Sequence, residues 1–147
     1  AMFVPLIIAS GGNSGSQAAS LMIRSLALGE LTPSNWWMVM RRELISGLLM
    51  GLVLGALGFV AGTVASLMLF NGSGSMERAI PYGIAIGVAL LGVVMVGTLT
   101  GSMLPFYLQK MGFDPATSST PFVATIVDVA GLLIYFMAAN LILPETV

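Results

Sequence analysis

Asp128 is the residue whose setting in this sequence most clearly indicates chemistry. It lies inside the apolar stretch 121–143, which is long enough to cross a bilayer. An unpaired charge in hydrocarbon is costly, so an acidic residue there indicates an ion, proton or substrate path. Residues three and four positions away share its helical face, among them Ala124, Thr125 and Gly131. The small residues at 124 and 131 predict room beside the carboxylate, and the Ala124 carbonyl keeps a second lone pair that could face that space.

Three other roles for Asp128 stay open: an ion pair with a buried arginine, a protonated structural side chain, or a proton relay. The ion pair is disfavoured because every arginine maps to a predicted membrane interface. The relay is disfavoured because the sequence contains no histidine and no second carboxylate inside a predicted span.

The composition is that of a membrane-embedded chain. Hydrophobic residues make up 57% of the 147 positions and charged residues only 7%, whereas about a quarter of the residues in a soluble domain are charged. Only five Lys and Arg residues and a net charge of −1 argue against nucleic acid as a partner. Without Cys or His, any bound metal must be a hard cation held by oxygen. The absence of His and of a second Asp inside a predicted span argues against an intramembrane protease.

Three helices are predicted to cross the membrane. The first is the apolar part of segment 34–70, which begins with an interfacial stretch containing Trp36 and Trp37, and the others cover 80–108 and 121–143. Segments 71–79 and 109–120 are predicted loops. Segment 29–34 is a predicted turn in which Gly29 ends the preceding helix. Thr32 with Pro33, and Thr120 with Pro121, are typical of helix starts. Glycines every four residues from Gly47 onward predict close helix packing.

A fourth helix is predicted over about 1–28, broken by the glycine-rich segment 10–17. Ser14 and Gln17 have the spacing of a capping box that would restart the helix after the break. An ordinary solvated loop between two helices is the alternative for this segment. The fold class is thus an all-α polytopic bundle, with residues 1–147 forming a single transmembrane domain.

The basic residues predict the orientation. Four lie on one side of the predicted bundle and only Arg78 on the other, which places the first group in the cytoplasm; that group is Arg24, Arg41, Arg42 and Lys110. In this arrangement Asn13 and Asp128 occupy a common layer inside the membrane.

One carboxylate is a poor site for a divalent ion, but two copies related by a two-fold axis would supply two. Mg²⁺ suits such a site because it keeps several of its waters. A divalent cation gains about 4.6 kcal/mol per 100 mV on moving inward across a negative-inside membrane.

Several blocks of the sequence resemble the transmembrane domain of the MgtE family of magnesium channels: residues 11–19, 24–27, 114–116, 121–125 and 128–135. The resemblance implies a homodimer with an ion path between protomers, lined by the family's second and fifth membrane helices. It implies that Asp128 is the central Mg²⁺ site, with the Ala124 carbonyl, Thr120 and Asn13 contributing. We expect the same path to be lined by Gly12, Gln17, Thr125 and Gly131. The resemblance also implies a first membrane helix and Mg²⁺-sensing cytosolic domains outside this sequence.

The predicted function is therefore Mg²⁺ transport into the cytoplasm through a channel in the plasma (inner) membrane, with lipid around the bundle and no enzymatic role. The alternative is a cation- or proton-coupled carrier of Mg²⁺, Mn²⁺ or Co²⁺. A purely structural membrane subunit would leave Asp128 without a purpose.

Overall fold

The computed structural model describes residues 2–69 and 75–143. Within these ranges the chain forms four long α-helices and one short 3₁₀ helix: α1 (Val4–Ala27), the 3₁₀ helix (Pro33–Asn35), α2 (Trp36–Leu69), α3 (Ser75–Lys110) and α4 (Pro115–Ile142). Three segments are long and apolar enough to cross a membrane: Pro33–Leu69, Met76–Lys110 and Ser119–Ile142. The predicted all-α class, with three such helices and a fourth before them, is confirmed.

Helix α3 forms the centre of the bundle and packs against each of the other three long helices. Its buried residues form the largest share of the main apolar core, including Ile86, Leu90, Val93 and Val94. Helix α4 adds Val123 and Val127 to this core, and α1 adds Ile7. The organising element of the fold is therefore α3 rather than the Asp128 helix.

The break predicted in the first helix is wrong, because α1 runs without interruption through residues 10–17. The serines satisfy their own hydroxyl groups inside the helix: Ser10 Oγ donates to the Leu6 carbonyl at 2.8 Å and Ser14 Oγ to the Ser10 carbonyl at 2.9 Å. Ser14 is thus an interior residue and not the cap of a new helix. The low helix propensity of glycine costs little stability here, because α1 is stabilised by its packing against other helices.

Gly11 and Gly15 permit α1 to approach α3 closely. A Cβ atom on Gly97 would collide with the backbone of Gly11, and one on Gly101 with the backbone of Gly15. From the other side, a Cβ on Gly15 would lie 3.0 Å from the Gly97 carbonyl oxygen. Two pairs of glycines spaced four residues apart therefore bring the backbones of α1 and α3 into direct contact.

The glycine-lined face predicted on α2 packs against α3, as the spacing indicated. Gly55 meets Gly87 so closely that a Cβ on Gly55 would lie 2.9 Å from the Gly87 carbonyl oxygen. The face is buried along its length and comprises Gly47, Gly51, Gly55, Gly58 and Gly62.

The turn between α1 and α2 has the predicted chemistry. Gly29 adopts a φ of +71°, and the Glu30 N–H donates to the Ser25 carbonyl at 3.0 Å. This pattern is the Schellman closure of a helix, which favours glycine at the left-handed position. Thr32 then precedes the 3₁₀ helix, and its N–H donates to Asn35 Oδ1 at 2.9 Å.

Helix α4 begins six residues earlier than predicted. The Asp114 carboxylate accepts a hydrogen bond from the Ala116 N–H at 3.0 Å, and Pro115 fills the first helical position. Thr120 and Pro121, predicted to start the helix, lie inside it. The helix is therefore capped by Asp114 and Pro115, inside the segment 109–120 that was predicted to be a loop, and not by Thr120 and Pro121.

Helix α3 is also longer than predicted. It begins at Ser75 and ends at Lys110, and it continues through Pro81 and Pro105. Of the predicted loop 71–79, residues 75–79 are helical and residues 71–74 lie outside the described part of the chain.

Candidate functional site

Asp128 lies on the exposed side of α4, in the middle of an apolar span. The opposite side of the helix carries Val123 and Val127, both fully buried in the core. In the described part of the chain, no basic side chain pairs with the Asp128 carboxylate. The described residues thus leave this carboxylate exposed on a helix that is apolar enough to cross a membrane, and in hydrocarbon such an arrangement is costly unless something polar meets it.

Gly12 of α1 is the residue beside this carboxylate. A Cβ added to Gly12 would lie 3.9 Å from Asp128 Oδ1, with no other contact inside 4 Å. Gly12 is half-buried at the seam between α1 and α4. The absence of a side chain at position 12 therefore leaves open space next to Asp128.

Gly131 does not provide the room that the sequence predicted. It is buried, and a Cβ at this position would lie 3.0 Å from Val93 Cγ2 and 3.4 Å from Ile8 Cγ1. Its small size serves the packing of α4 against α3 and α1. The free space beside the carboxylate lies on the Gly12 side instead.

Ala124, Thr125 and Thr120 precede Asp128 on α4. Ala124 is half-buried and Thr125 is exposed. The Thr125 hydroxyl donates to the Pro121 carbonyl at 3.0 Å, so its oxygen lone pairs remain available as acceptors. Thr120 is exposed and lies two helical turns before Asp128, about 12 Å away along the axis.

Asn13 and Gln17 are exposed on α1. Gln17 borders a shallow groove of about 430 Å³ together with Ser16, Ser20 and Leu21. A helix turns by about 100° per residue, so Asn13 projects in a different direction from Gly12. Within one chain, the structure brings Gly12 and Asp128 together and leaves Asn13 and Gln17 on the exposed side of α1.

The sequence reading did not identify Gly11 and Gly15 as the residues that position Gly12. Their contact with Gly97 and Gly101 fixes the distance of α1 from α3, and therefore the place of Gly12 beside α4. Their spacing could have indicated this contact, because Gly11 and Gly15 are four residues apart, as are Gly97 and Gly101.

Among the described residues, no group of three or more acidic, histidine or cysteine side chains is close enough to hold a metal ion. The site supplies one carboxylate, hydroxyl oxygens and open space, which are ligands suited to a hard cation that retains water.

Comparison with known proteins decides the family. The sequence model of the MgtE family matches residues 4–138 of this chain, and the family is described as a divalent cation transporter. The chain belongs to the MgtE family. This is a family of membrane transporters and not of enzymes, in agreement with the sequence prediction.

Relatives of this MgtE-family chain are named as magnesium transporters. The chain is 40% identical over 143 residues to a protein from Thermus thermophilus named magnesium transporter MgtE, and the match covers 97% of the chain. It is 34% identical over 141 residues to the magnesium transporter MgtE of Enterococcus faecalis, covering 96% of the chain. In both cases the chain spans only 29% of the relative's length.

Proposed function

We propose that two copies of this chain form a path for Mg²⁺ across the plasma (inner) membrane, with Asp128 of each copy at its centre. In this proposal the two carboxylates and the Ala124 carbonyls face the ion. The path continues along both copies past Gly12, Asn13, Gln17, Thr120 and Thr125. The single observation that carries the proposal is the exposed Asp128 in the middle of an apolar span, with no basic side chain of the described residues paired to it.

Pairing two copies gives this carboxylate a function and a partner. Facing carboxylates repel one another unless a cation lies between them, so the pair creates a site that favours a divalent ion. The names of the relatives support Mg²⁺ as that ion.

The space at Gly12 supports an ion that retains its hydration shell. Mg²⁺ sheds water reluctantly and binds through one or two carboxylates while keeping several waters. An open volume beside Asp128, lined by a backbone without a side chain, suits this hydrated form better than a tight cage of protein ligands.

The membrane potential supplies the driving force and the direction. A divalent cation gains about 4.6 kcal/mol per 100 mV on moving toward the negative side, so inward flow needs no coupled energy source. The positively charged end of the bundle, with Arg24 and Lys110, would face the cytoplasm.

Mg²⁺ flux into liposomes tests the proposal. The purified protein is reconstituted around a Mg²⁺-sensitive dye, and wild type is compared with Asp128→Asn, which removes the charge and keeps the shape. Asp114→Asn is the matched control, since it makes the same change on the same helix at a capping position where Asn also serves. We expect at least a tenfold loss of flux for Asp128→Asn alone. Unchanged flux in that variant would overturn the proposal.

The same liposomes separate a channel from a coupled carrier. Flux through a channel follows an imposed potassium diffusion potential and the Mg²⁺ gradient. A coupled carrier requires a proton or sodium gradient, and its flux stops when that gradient is removed. We expect flux that persists without either gradient.

A further inference from the structure

A second feature lies at the end of the bundle where most basic residues are found. A groove of about 540 Å³ separates the beginning of α2 from the end of α3. The residues that line it include Ser34, Trp36, Met40, Met103, Phe106, Tyr107 and Lys110. None of these residues belongs to the Asp128 site.

The floor of the groove is apolar and firmly packed. Phe106 is 5% exposed and forms a small buried cluster with Leu26 of α1 and Val39 of α2, against which Met103 packs. This cluster ties the ends of three helices together. The groove is therefore a formed surface of the bundle, and its floor suits a hydrocarbon chain.

The rim of the groove is polar and carries one charge. Lys110 contributes an ammonium group, while Trp36 and Tyr107, which are 48% and 62% exposed, contribute an indole N–H and a phenol. Each of these groups can donate a hydrogen bond, and no acidic residue lines the groove. Trp and Tyr at this position are typical of the level of lipid headgroups.

An apolar floor below a positively charged, donor-rich rim fits one chemical class of ligand. We propose that this groove binds an anionic phospholipid, with an acyl chain on Phe106 and Met103 and the headgroup phosphate at Lys110. Charge complementarity favours phosphatidylglycerol over phosphatidylcholine, because a cationic choline group would lie beside the Lys110 ammonium group.

Photocrosslinking tests the lipid preference at the groove itself. Tyr107 is replaced by p-benzoylphenylalanine in the otherwise wild-type protein. The protein is then reconstituted in vesicles of equimolar phosphatidylglycerol and phosphatidylcholine with identical acyl chains. After irradiation, mass spectrometry counts the two adducts. One basic residue near the membrane surface changes the affinity for anionic lipid about fivefold, so we expect about five phosphatidylglycerol adducts for each phosphatidylcholine adduct.

A second labelling position and three variants serve as controls. The same amino acid at Leu49, which is 60% exposed on α2 outside the groove, reports the bulk lipid and is expected to give equal adducts. Lys110→Gln should reduce the ratio at position 107 to about one, and Lys110→Arg should preserve it. Arg24→Gln removes an exposed charge from the same end without touching the groove and should leave the ratio unchanged.

Several results would overturn the proposal. One is the same ratio of phosphatidylglycerol to phosphatidylcholine adducts at positions 107 and 49, and another is a ratio at position 107 that Lys110→Gln leaves unchanged. The proposal would also fail if the adducts formed with polypeptide instead of lipid, or if millimolar inorganic phosphate abolished the preference for phosphatidylglycerol. The comparison between positions 107 and 49 needs no change at Lys110, so it decides the proposal even if Lys110→Gln fails to fold.

Discussion

Gly12 of α1 and Asp128 of α4 lie side by side, so that a Cβ on Gly12 would be 3.9 Å from Asp128 Oδ1. The two residues are separated by more than a hundred positions in the chain and meet because both helices pack on α3. This contact joins the glycine-rich block of α1 to the acidic residue of α4.

Filling the space at Gly12 should obstruct the ion without damaging the fold. Gly12→Leu places a branched side chain beside the carboxylate, and we expect Mg²⁺ flux in liposomes to fall about tenfold. Gly12→Ala adds only a methyl group at an ordinary contact distance and should retain most of the flux. Thermal unfolding in detergent should be near that of wild type for both. Full flux in Gly12→Leu would show that the ion passes elsewhere.

The glycine contact between α1 and α3 should be sensitive to a single methyl group. Gly101→Ala forces a Cβ against the Gly15 backbone, which cannot move aside as a flexible side chain can. Overpacking of this kind costs about 1–3 kcal/mol. Circular dichroism during denaturation with sodium dodecyl sulfate measures the loss. Gly12→Ala is the control because it makes the same change on a less crowded face, and equal stability of the two variants would contradict the packing described.

The cap of α4 should contribute measurably to stability. Asp114→Ala removes the carboxylate that accepts the Ala116 N–H, and loss of an N-cap costs about 1 kcal/mol. Asp114→Asn should retain most of that free energy, since asparagine caps as well as aspartate. The midpoint of thermal unfolding checks both variants. A helix that truly began at Pro121 would make Asp114→Ala neutral.

The turn after α1 should require glycine at position 29. Its φ of +71° lies in the left-handed region, where a residue with a Cβ is disfavoured by about 1–2 kcal/mol. Gly29→Ala should therefore lower the unfolding midpoint, and Gly29→Asn should lower it less because asparagine tolerates this conformation. Apart from Gly29 and its two chain neighbours, no described residue has an atom within 4 Å of a Cβ at this site, so the effect would come from backbone conformation rather than from a clash. Equal midpoints for Ala and Asn would argue against this explanation.

Much of the fold was predictable because composition and spacing act locally. The apolar stretches predicted the three spans, and the four-residue spacing from Gly47 to Gly55 predicted the packed face of α2. Gly29 and Thr32 predicted the turn, since the backbone at each position depends on its immediate neighbours.

The errors arose where tertiary contacts decide the local structure. Glycines and serines in residues 10–17 favour a break in an isolated chain, yet Gly11 and Gly15 form a helix because α3 offers Gly97 and Gly101 to pack against. Tertiary contacts also decide the arrangement at the candidate site. Asp128 was predicted from its chemistry, but the position of Gly12 beside it depends on how far apart the helices lie.

The central claim is that Asp128 residues of two copies share one hydrated divalent cation. A structure of the assembled protein with Mn²⁺ in place of Mg²⁺, with anomalous scattering recorded for wild type and Asp128→Asn, tests it most directly. We predict one peak between the two Asp128 carboxylates, with water between the ion and its ligands, that is absent in Asp128→Asn. A structure in which the two carboxylates face lipid, or in which the peak persists in the variant, would contradict the claim.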